Sequence, residues 1–375
     1  MSGTMRAAGA ERVVAVDVAR ALGLLLVYHG HVVERMMYLG HEAAAYQYKF
    51  IYAFHMPLFF LLAGCIAKDL SDLKPLAFLW SRIASRLVPL LAFNCLLALT
   101  SLVFPRDFPP IPLESAADYG NATLMSLTWL TVFNVPTWFL MALTTVEVVH
   151  YILFRFLRGS NLALLGVIVA GFALGAWLNG RYAFFPGRNW WLWNEAPMAY
   201  AFYLAGILVN RAGIMAGSSR TAAAVALAAA GFAALYLVYD LNQGPFRLDI
   251  KAVVILASAY GDPLWFALGA MAGIVGTLAL GRALAASSWL AHVGSNALIV
   301  FALNGVFYHH VNGPLATWYM GAMPQDGWTL AAFAAASSLL SILLTLPLVR
   351  FCQTWLPQLV GRPRASGPLL PALMR

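Results

Sequence analysis

Charge is scarce in this chain. Only 10% of its 375 residues are Asp, Glu, Lys or Arg, against about 25% in an average soluble domain. A water-soluble globule is not expected on that ground. Cysteine is scarce too. Cys65, Cys95 and Cys352 are odd in number, lie in apolar segments and lack metal-ligand spacing, so neither a disulfide framework nor a metal site is expected. No internal repeat is visible, which weighs against transporter folds built from inverted repeats. No polar stretch is long enough to form a separate soluble domain. What the chain has instead is apolar surface: 62% of its residues are hydrophobic and its mean hydropathy is +0.76.

The apolar residues fall in runs of about 20, the length a helix needs to cross a bilayer. They predict an all-α, polytopic membrane helix bundle of about ten transmembrane helices rather than a barrel. The runs lie near 13–33, 48–67, 83–104, 136–156, 161–178, 195–213, 221–239, 260–281, 289–311 and 328–350. The stretch 250–259 is apolar as well and leaves the start of the eighth run open. Arg6 and Arg12 precede the first run, which has the length of a full span and reads as an uncleaved first helix. The segment 105–135 begins with Pro105, Pro109, Pro110 and Pro112 and reads as a re-entrant or interfacial piece. Residues 1–353 form one transmembrane domain in this reading. Residues 354–375, with four prolines and few charges, read as a disordered cytoplasmic tail.

Basic residues set the orientation. With the N-terminus in the cytoplasm, 15 Lys and Arg fall in cytoplasmic segments, 7 fall outside, and Arg20 lies within the first span. The expected topology is N-in and C-in, in the cell inner membrane. The net charge of +8 is spread singly between spans, so the lipid bilayer is the expected partner and nucleic acid is not.

The first span carries Asp17, Arg20, His29 and His31. Ionisable groups at membrane depth are costly and mark functional paths. Arg20 and His31 are 11 residues apart. At about 100° and 1.5 Å per residue they share a face, roughly 16 Å apart along the axis. Asp17 precedes Arg20 by one turn and can pair with it, whereas His29 points away. The expectation is one polar channel through Arg20 and His31, open to both sides of the bilayer.

Six segments in order carry a resemblance. Asp17-Val18-Ala19-Arg20, followed ten residues later by His31, resembles the first-helix signature of the acyltransferase 3 family of integral membrane proteins. Phe54 through Gly64, with His55-Met56-Pro57 near its start, resembles that family's second motif; many relatives have Ser where Ala63 stands. Arg82-Ile83-Ala84-Ser85-Arg86 resembles the basic start of the third span, although many members place the two arginines three apart and here they are four apart. Thr137-Trp138-Phe139-Leu140, Phe202-Tyr203-Leu204-Ala205-Gly206 and His292 through Leu298 resemble later segments. Many relatives have His where Asn304 stands, so no essential role is assigned to Asn304.

The resemblance implies transfer of an acyl group, often acetyl from acetyl-CoA, to a hydroxyl of an extracytoplasmic glycan or other acceptor. A sugar hydroxyl needs a base, and neutral imidazole with its ordinary pKa of about 6.5 suits that role. His31 is the expected base, with Arg20 and Asp17 completing the catalytic group. Arg82 and Arg86 are the expected partners of the coenzyme A phosphates, since guanidinium forks match phosphate oxygens; ordinary positive-inside anchoring is the competing explanation. His55, Glu147 and Trp138 are candidate acceptor-binding residues. No metal is expected, and the oligomeric state is open. The alternative is a transporter or flippase for a lipid-linked sugar that uses the charged face as a polar path.

Overall fold

The structure, a computed structural model, describes residues 2–107, 111–179, 181, 189–216, 221–247 and 250–374, with side chains from Val14 onward. The side chains of Arg6 and Arg12, and Pro109, Pro110, Arg188, Arg220, Asp249 and Arg375, lie outside the described residues. The helices run in the order α1 (Ser2–Tyr38), α2 (Glu42–Tyr52), α3 (His55–Cys65), α4 (Pro75–Arg82), α5 (Val88–Ser101), α6 (Ala116–Thr128), α7 (Trp138–Leu157), α8 (Asn161–Asn179) and α9 (Ala196–Arg211). They continue with α10 (Thr221–Val238), α11 (Pro263–Ala283), α12 (Ser288–Ser295), α13 (Ala297–His310), α14 (Asn312–Ala322) and α15 (Gly327–Trp355). A five-residue π turn, Ile83–Leu87, joins α4 to α5. No β-strand occurs among the described residues.

Eight of these segments are long and apolar enough to cross a membrane, counting α2–α3 and α4–α5 each as one. The chain is a multi-pass membrane protein. Besides the break between α2 and α3, two of the ten expected spans depart from straight full-length helices. The ninth is a pair, α12 and α13, bent by 79°. Asn296 sits at the elbow, where its side-chain amide donates to the His292 carbonyl at 2.9 Å, replacing a backbone bond that the bend removes. The sixth is α9, 16 residues long. It rises only about 24 Å, less than the roughly 30 Å of a hydrocarbon core; it packs on α3, α7 and α8 and buries most of its surface. The open start of the eighth run is settled by Asp262. Its carboxylate accepts from the backbone N–H of Leu264 and Trp265 at 2.9 and 3.1 Å, capping α11, and 250–259 is left as loop with one short 3-10 turn.

The segment 105–135 contains α6, opened by a reciprocal cap between Ser115 and Asp118. Hydrogen bonds from Ser115 hold the Asp118 carboxyl below its ordinary range. Behind α6, Leu130, Val132 and Phe133 pack with Ala257 and Ala259, joining two loops at one end of the bundle. At the other end, the segment 356–374 touches the bundle at several points. Trp80 donates to the Leu373 carbonyl at 3.3 Å, Gln358 is bonded to the Leu370 carbonyl, and Val360 is buried.

The core is organised around α1, which packs against α2, α3 and α11 through α15. Val18, Ala19, Ala21 and Leu24 are fully buried. Between lipid-soluble helices close contact comes from small residues rather than from water exclusion. Gly64 of α3 and Gly206 of α9 serve their crossing from both sides: a Cβ on Gly64 would strike the Tyr203 carbonyl, and one on Gly206 the Leu61 carbonyl. Gly294 of α12 lies against the Asp17 carbonyl of α1 in the same way.

Gly206→Val and Gly294→Val are therefore expected to force helices apart. Each should lower the thermal unfolding midpoint of the detergent-solubilised protein, at a cost of about 1–3 kcal/mol or more. Gly166→Ala on α8, where a Cβ meets nothing within 4 Å, should leave the midpoint unchanged or raise it.

Candidate active site

Two cavities lie end to end inside the bundle. The first, of about 960 Å³, is lined by Arg20, Phe59, Ala63, Arg82, Arg86, Phe139, Glu147, His150, Tyr203 and Phe301, among others. The second, of about 290 Å³, is lined by Val27, His31, Glu34, Arg35, His55, Met56, Trp138, Phe301, Tyr308 and three further tyrosines, Tyr38, Tyr48 and Tyr52. Both volumes fall in or near the size range of small-molecule sites.

Six cationic side chains line the first cavity: Arg20, Lys68, Arg82, Arg86, Arg362 and Arg364. Glu147 is its one carboxylate. Arg86 grips Glu147 with two parallel bonds, Nη2 to Oε1 at 2.9 Å and Nε to Oε2 at 3.2 Å. Arg82 Nη1 reaches Oε2 at 3.0 Å. The fork is the strong geometry for a guanidinium and a carboxylate. It leaves the trio with a net charge of +1, and Arg82 Nε is buried with no partner among the described residues. Arg20 Nη1 donates to Asp17 Oδ1 at 2.8 Å; Asp17 stands behind it and lines neither cavity.

In the second cavity His31 Nδ1 lies 2.5 Å from Asn304 Oδ1. With the amide oxygen facing the ring, Nδ1 carries the proton and Nε2 keeps its lone pair. Tyr308 packs edge-on against the His31 ring at 4.7 Å, and the Arg35 guanidinium lies 4.2 Å above the Tyr308 ring. Arg35 Nη2 also donates to the Tyr308 carbonyl at 2.9 Å. Glu34 is buried, and its Oε2 has no partner among the described residues. His55 Nδ1 donates to the Ile51 carbonyl at 3.0 Å, one turn back, beside the break between α2 and α3. It thus repairs the broken backbone ladder and lines the cavity at once.

The expected residues are therefore brought together in two groups rather than one. Arg20, Arg82 and Arg86 share the first cavity; His31, His55 and Trp138 share the second. Glu147 belongs with the arginines, both of its oxygens occupied, and not with His55 and Trp138. The single open channel from Arg20 to His31 is corrected in the same way. Val27 lines the second cavity, Phe59 and Phe139 the first, and Phe301 both, so the two cavities meet at apolar side chains.

Several lining residues escape the sequence reading. Asn304 is assigned no role there because relatives differ at that position, yet it orients His31. Arg362 and Arg364 sit in a segment read as disordered. Glu34 and Arg35 were within reach of the sequence, since positions three and four after His31 share its helix face. His150, three after Glu147, carried the same signal; its Nδ1 lies 3.3 Å from the Tyr200 hydroxyl.

Comparison with known proteins gives one match. A family model described as an acyltransferase domain, that of acyltransferase 3, matches residues 13–350. No curated protein and no solved structure matches the chain.

The spacing of Arg82 and Arg86 has a structural counterpart. The π turn closes each hydrogen-bonded ring with one residue more than an α turn, so the stretch between Arg82 and Arg86 holds one residue more than regular helix needs. Deleting Ser85 should convert the π turn to α-helix and keep both arginines on Glu147. The deletion variant is expected to remain folded, with a thermal midpoint within a few degrees of the parent. Deleting Ala92, in the regular helix of α5, should unfold the protein.

Proposed function

We propose, from the premise that this chain belongs to the acyltransferase 3 family, that it moves an acyl group, acetyl first, from cytoplasmic acyl-CoA to a hydroxyl of an extracytoplasmic glycan. The observation that carries this reading is the pairing of a strongly cationic cavity with a second one that holds an oriented histidine. A flippase needs one alternating path for one cargo. An acyltransferase working across a bilayer needs two sites of different chemistry that meet.

The first cavity suits a donor rich in phosphate. Arg82 and Arg86 offer guanidinium groups pre-set by Glu147, and the buried Arg82 Nε–H is a donor awaiting an anion. Arg362 and Arg364 add charge from the C-terminal segment. With the N-terminus in the cytoplasm, this cavity opens to the cytoplasmic side of the inner membrane, where acyl-CoA is made. The roughly 16 Å between Arg20 and His31 is comparable to an extended pantetheine arm. The second cavity suits a sugar. Four tyrosines and Trp138 supply apolar ring faces with polar tips, and Glu34 Oε2 offers an acceptor for hydroxyl groups.

His31 does the proton work. Its Nε2 takes the proton of the acceptor hydroxyl as that oxygen bonds to the acyl carbon. The carbon–sulfur bond then breaks, and the imidazolium returns the proton to the departing thiolate. Asn304 holds the ring in the one tautomer that leaves Nε2 free, a role orienting residues play for catalytic imidazoles. Arg20, neutralised by Asp17, stands at the donor side to hold the arm.

Purified protein in nanodiscs, supplied with labelled acetyl-CoA and glycan fragments, tests the reading. Wild-type protein should form acetylated glycan. His31→Ala should lower turnover by about 10²–10⁴-fold with donor Kd unchanged. Arg86→Lys keeps the charge but loses the fork and should raise donor Kd by about tenfold at similar turnover under saturation. Absence of any acetyl release or transfer by the wild type, across acyl donors, would favour the transporter.

A further inference from the structure

The wall between the cavities is built with a regular plan. Three helices contribute side chains to both cavities. On α3, Met56 lines the second cavity and Phe59 the first. On α7, the adjacent residues Trp138 and Phe139 do the same. On α13, Leu298 lines the first cavity, Tyr308 the second, and Phe301 between them lines both. The three phenylalanine rings form a closed triangle. Their centroids are 5.9 Å apart for Phe59–Phe139, 5.8 Å for Phe139–Phe301 and 6.4 Å for Phe59–Phe301. Trp138 meets Phe139 edge-on at 6.4 Å. Each spacing lies within the range of favourable aromatic contact. Phe301 also belongs to the α13 face that carries Asn304, three residues on, so the wall and the residue that orients His31 share one helix.

Resting on the acyltransferase reading, we infer that Phe59, Phe139 and Phe301 form an aromatic septum through which the acyl group reaches His31, and that the bore of this septum sets which acyl chains are transferred. The wall of phenyl rings separates a thioester on the donor side from the His31 imidazole, so water activated by His31 does not reach it until a ring moves. A small acyl group needs one ring to rotate or withdraw; a longer chain needs more room than three rings leave. Phe301 is the member that touches both cavities, and its truncation joins them.

Phe301 is a specificity-determining residue in this scheme rather than a catalytic one, and the readout is selectivity. Purified wild type, Phe301→Leu, Phe301→Ala and Phe301→Trp are compared with acetyl-, butyryl- and hexanoyl-CoA. Two rates are followed: transfer to glycan, and release of free acid, in which the water oxygen bonds to the acyl carbon and coenzyme A leaves as the thiol. Truncation should raise the kcat/KM ratio of hexanoyl to acetyl by about tenfold or more, the discrimination a few methylenes supply in an apolar pocket. It should also raise acceptor-independent acid release. Phe301→Trp should shift the ratio the other way. Phe301→Leu removes the ring but keeps a smaller apolar side chain, and serves as the milder truncation if the alanine variant does not fold. The inference is overturned if active variants keep the wild-type chain-length ratio and the wild-type rate of acid release. If wild-type protein binds no acyl-CoA and releases no acid, the acyltransferase reading fails first; if wild type transfers normally and only the ratios stay fixed, the septum alone is wrong.

Discussion

A charge inside an apolar bundle must be partnered or it unfolds the bundle, and in this chain Glu147 is where that constraint is met. One carboxylate on α7 holds two arginines that come from either end of a π turn between α4 and α5. Removing one partner of such a buried group typically costs about 3–5 kcal/mol, because the other charge is left behind. The arrangement fixes α4–α5 against α7, and with it the mouth of the larger cavity. It also keeps the arginines extended and half-satisfied, with net positive charge facing the cavity.

The same constraint governs the smaller cavity, there spread over several polar side chains. His31, Asn304, His55, Glu34 and Tyr308 are all buried, and most are tied to a backbone carbonyl or to one another. Polar groups of this kind are tolerated in a membrane bundle when they face its interior. The polar side chains thus gather in two groups where partners are at hand, with phenyl rings where the two cavities meet.

The sequence makes the helical class legible because about 20 apolar residues in a row have few other homes than a bilayer. It also makes Arg20 and His31 legible, since their spacing on a single helix fixes their mutual geometry through helix periodicity alone. Contacts between helices are another matter. Nothing in a run of residues says that Glu147 meets Arg86 and Arg82 across 61 and 65 positions, or that Asn304 is the partner of His31. Both depend on how helices cross, which the glycines at Gly64, Gly206 and Gly294 permit but do not announce. The bend at Asn296 hides within an apolar run of ordinary length, because a side-chain amide that replaces a backbone bond leaves no mark on hydropathy. Arg362 and Arg364 were invisible for a compositional reason: a proline-rich segment of low charge reads the same whether it is solvated or laid against a bundle.

The distance along the chain between His31 and Asn304, 273 residues, has a consequence for biosynthesis. At about 5–20 residues per second, the ribosome delivers the amide on the order of fifteen to fifty-five seconds after the imidazole it will orient. Throughout that interval the nascent first helix holds polar side chains in lipid or in the translocon without their native partners. A chain translated short of α13 therefore lacks the His31–Asn304 pair altogether.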